Sequence, residues 1–178
     1  GENYVQELVE KHEALPKDIH WHFIGHLQSN KVKYLAPFVH MIHGVDSFKL
    51  LKEINKQAKK ADRKISVLLQ VHIAKEDSKF GFSDEELEEM ITKKNLDELK
   101  HISIRGLMGM ATNSKNEELV RSEFKFLSEL YYKYRAHEAL QNHNFTELSM
   151  GMTQDYPLAI DSGSTMVRIG SAIFGSRK

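Results

Sequence analysis

Hydrophobic positions along the chain keep switching between a helical and a strand rhythm. Val5, Leu8, Val9 and Leu15 recur at helical spacing until Pro16 ends the pattern, which predicts a first helix over residues 2–14. Residues 19–25 then mix β-branched and aromatic side chains before a glycine, as a strand does, and residues 30–35 return to helical period. The pair repeats. A short strand is predicted over 40–45, and Ser47 can cap a Lys-rich helix whose Leu50, Leu51, Ile54, Ala58 and Ala61 share one face. Residues 65–74 form the clearest strand. Ser83 with Glu86 reads as a capping box for an acidic helix running towards His101, and residues 102–111 are again strand-like. Ser114 with Glu117 repeats the capping signature ahead of a helix that places Val120, Phe124, Leu127, Tyr131 and Tyr134 on one stripe. Residues 145–151 and 165–174 supply the last two strands, with a short helix between them from Asp155 to Gly163.

Strict alternation of strands and helices implies a parallel sheet, which an open doubly wound sheet and a closed (β/α)8 barrel satisfy equally. A helix ahead of the first visible strand hints at earlier strands, and two more would complete a barrel. The length of 178 residues with 40% apolar residues suits one domain over residues 1–178. Lys plus Arg and Asp plus Glu both number 25, so bulk charge argues for no nucleic acid and no anionic membrane as partner. Cysteine is absent, which removes disulfides, thiolate nucleophiles and Cys-based metal sites and fits a reducing cytoplasm. No apolar run approaches the roughly 20 residues of a membrane span and no signal-peptide pattern opens the chain, so a soluble protein is expected. The start at Gly1, inside a helical pattern, suggests a missing N-terminal part.

In either architecture the working residues follow the carboxyl ends of the strands. These loops are polar and glycine-rich: residues 25–31, 75–81, 151–155 and 168–171. Gly151 and Gly170 let backbone N–H groups approach an anion, and Thr153 adds a hydroxyl, a combination suited to a phosphate ester. The competing reading is that the glycines only turn the chain and Thr153 only caps a helix. Arg168 alternates with Val167 and Ile169 and so faces the side opposite them, where a buried guanidinium needs a carboxylate such as Asp161, or a ligand atom. His20 and His22 share a strand face at a spacing that some barrel metallohydrolases use for zinc, although no HExxH motif is present. No GxSxG elbow or Walker motif is present either.

Five segments carry a family resemblance. GENYVQE at residues 1–7, WHFIGHLQSNK at 21–31, SKFG at 78–81, IRGLM at 104–108 and GSTMVRIGSAIFG at 163–175 resemble, in this order, the motifs of the pyridoxal phosphate homeostasis protein family. The resemblance implies a modified (β/α)8 barrel of PLP fold-type III, similar to the N-terminal domain of alanine racemase, with the visible strands as strands three to eight. It implies pyridoxal 5'-phosphate as cofactor, with Arg168 facing the ring nitrogen, and Thr153, Gly170 and Ser171, beside Gly151, holding the phosphate. Asn3, His26 and Met150 would lie near the cofactor. The family's Schiff-base lysine belongs to a first strand upstream of residue 1, so no lysine here is assigned that role, with Lys31, Lys75 and Lys79 only loop candidates.

On this basis the expected function is intracellular PLP carriage or homeostasis without turnover, with unidentified proteins as PLP acceptors. An amino-acid racemase of alanine racemase type is the second expectation, and a metal-dependent hydrolase using His20 and His22 is the third.

Overall fold

A computed structural model describes residues 1–74, 80–93 and 96–175. Six parallel strands build one sheet in sequential order: β1 (His22–Phe23), β2 (Met41–Val45), β3 (Ile65–Gln70), β4 (Ile102–Met108), β5 (Glu147–Met152) and β6 (Met166–Arg168). Helix α1 (Val5–Ala14) precedes β1. Helices α2 (Val32–Leu35), α3 (Phe48–Lys60), α4 (Asp84–Lys93), α5 (Glu117–Arg135) and α6 (Tyr156–Asp161) lie in the successive crossovers, and α7 (Ser171–Phe174) follows β6. A doubly wound sheet reverses its strand order at a switch point, whereas this order never reverses, so the arrangement is the barrel type.

Side-chain contacts show how strongly the sheet curls. His43 on β2 and Ser149 on β5 are three strand spacings apart, about 14 Å in a flat sheet. Their side chains nevertheless meet, with Nδ1 of His43 3.2 Å from Oγ of Ser149. The six strands therefore form a half-barrel. Its convex side carries the main core: Ile65, Val67 and Leu69 of β3 and Ile102 and Ile104 of β4 are buried with Leu51 and Ile54 of α3. The α5 stripe of Val120, Phe124, Leu127, Tyr131 and Tyr134 is buried in the same cluster, as its spacing predicts. Burying each such side chain is worth about 1.5–3 kcal/mol. The concave side holds a separate apolar patch, Met41, Leu68 and Met108 with Met166 against it, flanked by polar residues.

Two predicted caps form. Leu50 N–H donates to Ser47 Oγ at 3.3 Å, and Ser83 and Glu86 exchange the two bonds of a capping box. The third differs: Ser114 accepts from Asn116 N–H, and Asn116, not Ser114, caps α5 by accepting from Glu118 and Leu119 N–H at 3.1 and 3.2 Å.

Several boundaries also move: the strand expected over 19–25 is confined to His22–Phe23, that over 102–111 ends at Met108, and the helix expected to run towards His101 ends at Lys93. The first helix starts at Val5, because Glu2 exchanges backbone hydrogen bonds with His22 and Ile24 along the free edge of β1, at 3.0 and 2.9 Å. The strand expected over 65–74 ends at Gln70. The strand expected over 165–174 ends at Arg168, since the N–H groups of Ile173 and Phe174 turn back to Gly170 O at 2.9 Å and wind residues 171–174 into a helical turn. Among the described residues no helix is long and apolar enough to cross a membrane.

Candidate functional site

The loops following β5 and β6 converge at the carboxyl end of the half-barrel. Gly170 N–H points to Thr153 Oγ1 at 3.4 Å, which joins the two glycine-containing loops. Gly151 has φ +94, and a Cβ there would lie 2.5 Å from Ala159 Cβ, so only glycine lets the end of β5 pack on α6. Gly170 is the opposite case, since a Cβ built on it meets nothing within 4 Å, while its N–H turns to Thr153 and its carbonyl accepts from Ile173 and Phe174. Ser171 is exposed beside it at the start of α7.

Arg168 projects from the end of β6 onto the concave face. Its Nη1 donates to Ser149 Oγ at 2.7 Å and its Nη2 to Gly109 O at 3.0 Å. The expected carboxylate partner is not Asp161, which sits outside, 3.4 Å from Arg121; among the described residues Arg168 has no ion pair, and Asp155 acts on its charge only from a distance. The residue as a whole keeps some exposure while its guanidinium is closely surrounded, and that desolvation pushes its pKa down to about 10. It remains cationic at neutral pH.

A line of imidazoles continues from Ser149. His43 is buried, with Nδ1 3.2 Å from Ser149 Oγ and Nε2 2.9 Å from His22 Nδ1. Burial pushes His43 down to about 2 and His22 down to about 4, helped in His22 by the neighbouring His40. His20 stacks on His40 with centroids 4.4 Å apart, at the amino end of the strands and away from the mouth. His20 and His22 are thus committed to ring contacts, and among the described residues no group of three His, Cys, Asp or Glu is placed to hold a metal ion.

The other nominated residues divide. His26 lies at the mouth, half exposed, with Nδ1 3.2 Å from Asp46 Oδ2 and its ring 4.4 Å from Phe80. Asn3 is exposed, with its backbone packed so closely on Gly25 that a Cβ there would collide with Asn3 O. Met150 is not brought to the mouth by its side chain, which is fully buried in the helix-side core because it alternates with Ser149. Lys31 is exposed near Tyr34. Lys75, Lys79 and the start of the SKFG loop lie outside the described residues.

Ser149, His43 and the Gly109 carbonyl are the partners that sequence reasoning missed. A signal was present for two of them: Ser149 is a lone polar residue between Leu148 and Met150, and His43 stands opposite the apolar Ile42 in a buried strand. Nothing in the sequence marked a carbonyl.

These features define a half-barrel of the alanine racemase N-terminal type, with an anion-suited mouth and a concave-face arginine. The family model described as alanine racemase, N-terminal domain, matches residues 1–178. The chain is 40% identical over 180 residues to the pyridoxal phosphate homeostasis protein of Haemophilus influenzae, covering 99% of this chain and 74% of that one. It is 42% identical to that of Aquifex aeolicus, covering 100% and 76%. It belongs to the pyridoxal phosphate homeostasis protein family. Among solved structures it is similar to PipY of Synechococcus elongatus with PLP bound, at 32% identity and TM-score 0.86 over 98% of this chain and 80% of that one. Alanine racemase from Bartonella henselae, at 16% identity and TM-score 0.67 over 98% and 45%, shares the fold alone.

Proposed function

We propose that this chain, as one domain over residues 1–178, binds pyridoxal 5'-phosphate at the carboxyl end of the half-barrel and serves its intracellular carriage. The observation that carries the reading is Arg168, a cation on the concave face with no ion-paired carboxylate among the described residues, beside two joined loops with open space on the Cα side of Gly170. Thr153 Oγ1, the Gly170 N–H and Ser171 would hold the phosphate, with Gly151 shaping the loop. Arg168 would face the ring nitrogen, and His26 and Asn3 would bound the mouth from the β1 side. The similarity to PLP-bound PipY supports the same cofactor.

Pyridoxal phosphate supplies a reactive aldehyde and, when its ring nitrogen is protonated, an electron sink. A guanidinium only donates hydrogen bonds and keeps its proton, so Arg168 leaves a facing ring nitrogen unprotonated and the sink weak. Holding and handing over the cofactor suits such a site better than transamination. The partners on this reading are PLP and the proteins that accept it, and the cysteine-free chain supports a reducing cytoplasm as its setting.

Titration with PLP, followed by cofactor absorbance and protein fluorescence, tests the reading. Arg168→Ala should weaken binding about tenfold or more, the loss of a charge-assisted contact. Unchanged affinity in that variant would sink the assignment.

A further inference from the structure

We infer that His43 is a positioning residue for Arg168: through Ser149 it fixes where the guanidinium points, and His22 locks it in that role. Satisfying every buried donor selects the direction. Arginine has no acceptor, so at 2.7 Å from Nη1 the Ser149 oxygen must accept. Its single hydroxyl proton is then free to donate to His43 Nδ1 at 3.2 Å, the one acceptor offered to it among the described residues when that nitrogen is a lone pair. In this arrangement neutral His43 carries its proton on Nε2, aimed at His22 Nδ1 2.9 Å away, and His22 in turn carries its own on Nε2. Every link runs one way, from β6 through β5 and β2 to β1.

The opposite tautomer keeps the same contacts but wastes the Ser149 proton. With the proton on Nδ1, His43 and Arg168 would both donate to the two lone pairs of Ser149 and His22 Nδ1–H would donate to His43 Nε2, leaving the buried Ser149 hydroxyl proton without an acceptor among the described residues. A doubly protonated His43 would add a cation to the same buried line as Arg168. Burial on the concave face keeps both imidazoles neutral, in agreement with the geometry. Arg168 is thus held by an uncharged acceptor whose orientation is set two residues away, and its charge stays available to a ligand.

The consequence for cofactor affinity rests on the PLP reading above, whereas the relay itself is readable without ligand. Long-range proton–nitrogen NMR of 15N-histidine protein at neutral pH should find His43 and His22 both protonated at Nε2 only. A proton on Nδ1 of His43, or two protons, would overturn the relay. In 15N-arginine protein the Arg168 Nη signals should be separate, since the fork is immobilised. They should merge in His43→Leu and remain separate in His43→Asn, whose Oδ1 can replace Nδ1 as acceptor. Separate signals in His43→Leu would show that the guanidinium does not depend on His43.

For PLP, His43→Leu should raise Kd about fivefold to tenfold and His43→Asn should restore it to within about twofold. In a Ser149→Ala background His43→Leu should add nothing, because the link it uses is already cut. An equal loss in both backgrounds would make His43 a merely structural residue. If the unaltered protein fails to bind PLP, the cofactor reading falls while the NMR results still decide the relay. If His43→Leu does not fold, the tautomers of the unaltered protein decide it.

Discussion

Acidification from pH 7 to 5 should cost this fold stability, chiefly through two histidines. His43 is lowered to about 2 and His22 to about 4, both by burial, from an ordinary value of 6.5. Between pH 6.5 and 4 the unfolded chain therefore binds protons at both positions that the folded chain refuses. Since the unfolded state binds more protons, stability is complete above about pH 6.5 and falls as the pH drops, by up to about 1.4 kcal/mol per pH unit for each group. From pH 7 to 5 each fully shifted histidine contributes about 2 kcal/mol, and His22, which solvent partly reaches, contributes less. The pair should cost about 3 kcal/mol. His40 and His143, also lowered by burial, act with the same sign. With a urea slope of roughly 2 kcal/mol/M, the unfolding midpoint should move down by about 1.5 M. Urea titrations at pH 7, 6 and 5 read this directly, and His43→Asn should remove about half of the slope. A midpoint that stays constant, or one equally steep in His43→Asn, would refute the placement of neutral imidazoles in the barrel interior.

Two further predictions concern the frame around the site. A Cβ on Gly106 would overlap the Glu147 carbonyl of the neighbouring strand, so Gly106→Ala should prise β4 from β5 and destabilise by about 3 kcal/mol or more, measured by thermal and urea unfolding. Wild-type stability in that variant would contradict the register. Ser83→Ala removes the capping-box hydroxyl of α4 and should cost about 1 kcal/mol with PLP affinity unchanged, since the cap lies outside the mouth residues.

Much of the fold was legible because its helices are amphipathic and its strands are apolar on the helix side. The α3 and α5 faces and the Ser47 and Ser83 caps follow directly from spacing. Two of the misplaced boundaries share a cause, competition for backbone groups. Glu2 pairs with an edge strand rather than opening a helix, and residues 171–174 close on Gly170 rather than extending a ladder. Of the site, Thr153 and Gly170 were legible from position and composition, and Arg168 from period-two alternation. Met150 was assigned by resemblance alone, and its side chain turns to the core because Ser149 takes the concave position. The choice of barrel over open sheet was not legible, since alternation of elements is identical in both and only strand order and curvature separate them.

Curvature is also what makes the arginine usable. A concave-face Arg168 could have been held by a carboxylate, a stronger bond in a desolvated place, but a bidentate carboxylate would fill the fork and cancel its charge. Ser149 holds one nitrogen and the Gly109 carbonyl the other, and both are uncharged. A hydroxyl is a weaker and more mobile anchor unless its own proton is committed, and here the commitment comes from His43, which reaches β5 only because the sheet bends by three strands. The bend that builds a barrel wall thus brings β2 against β5, and that contact holds a buried cation in place without neutralising it.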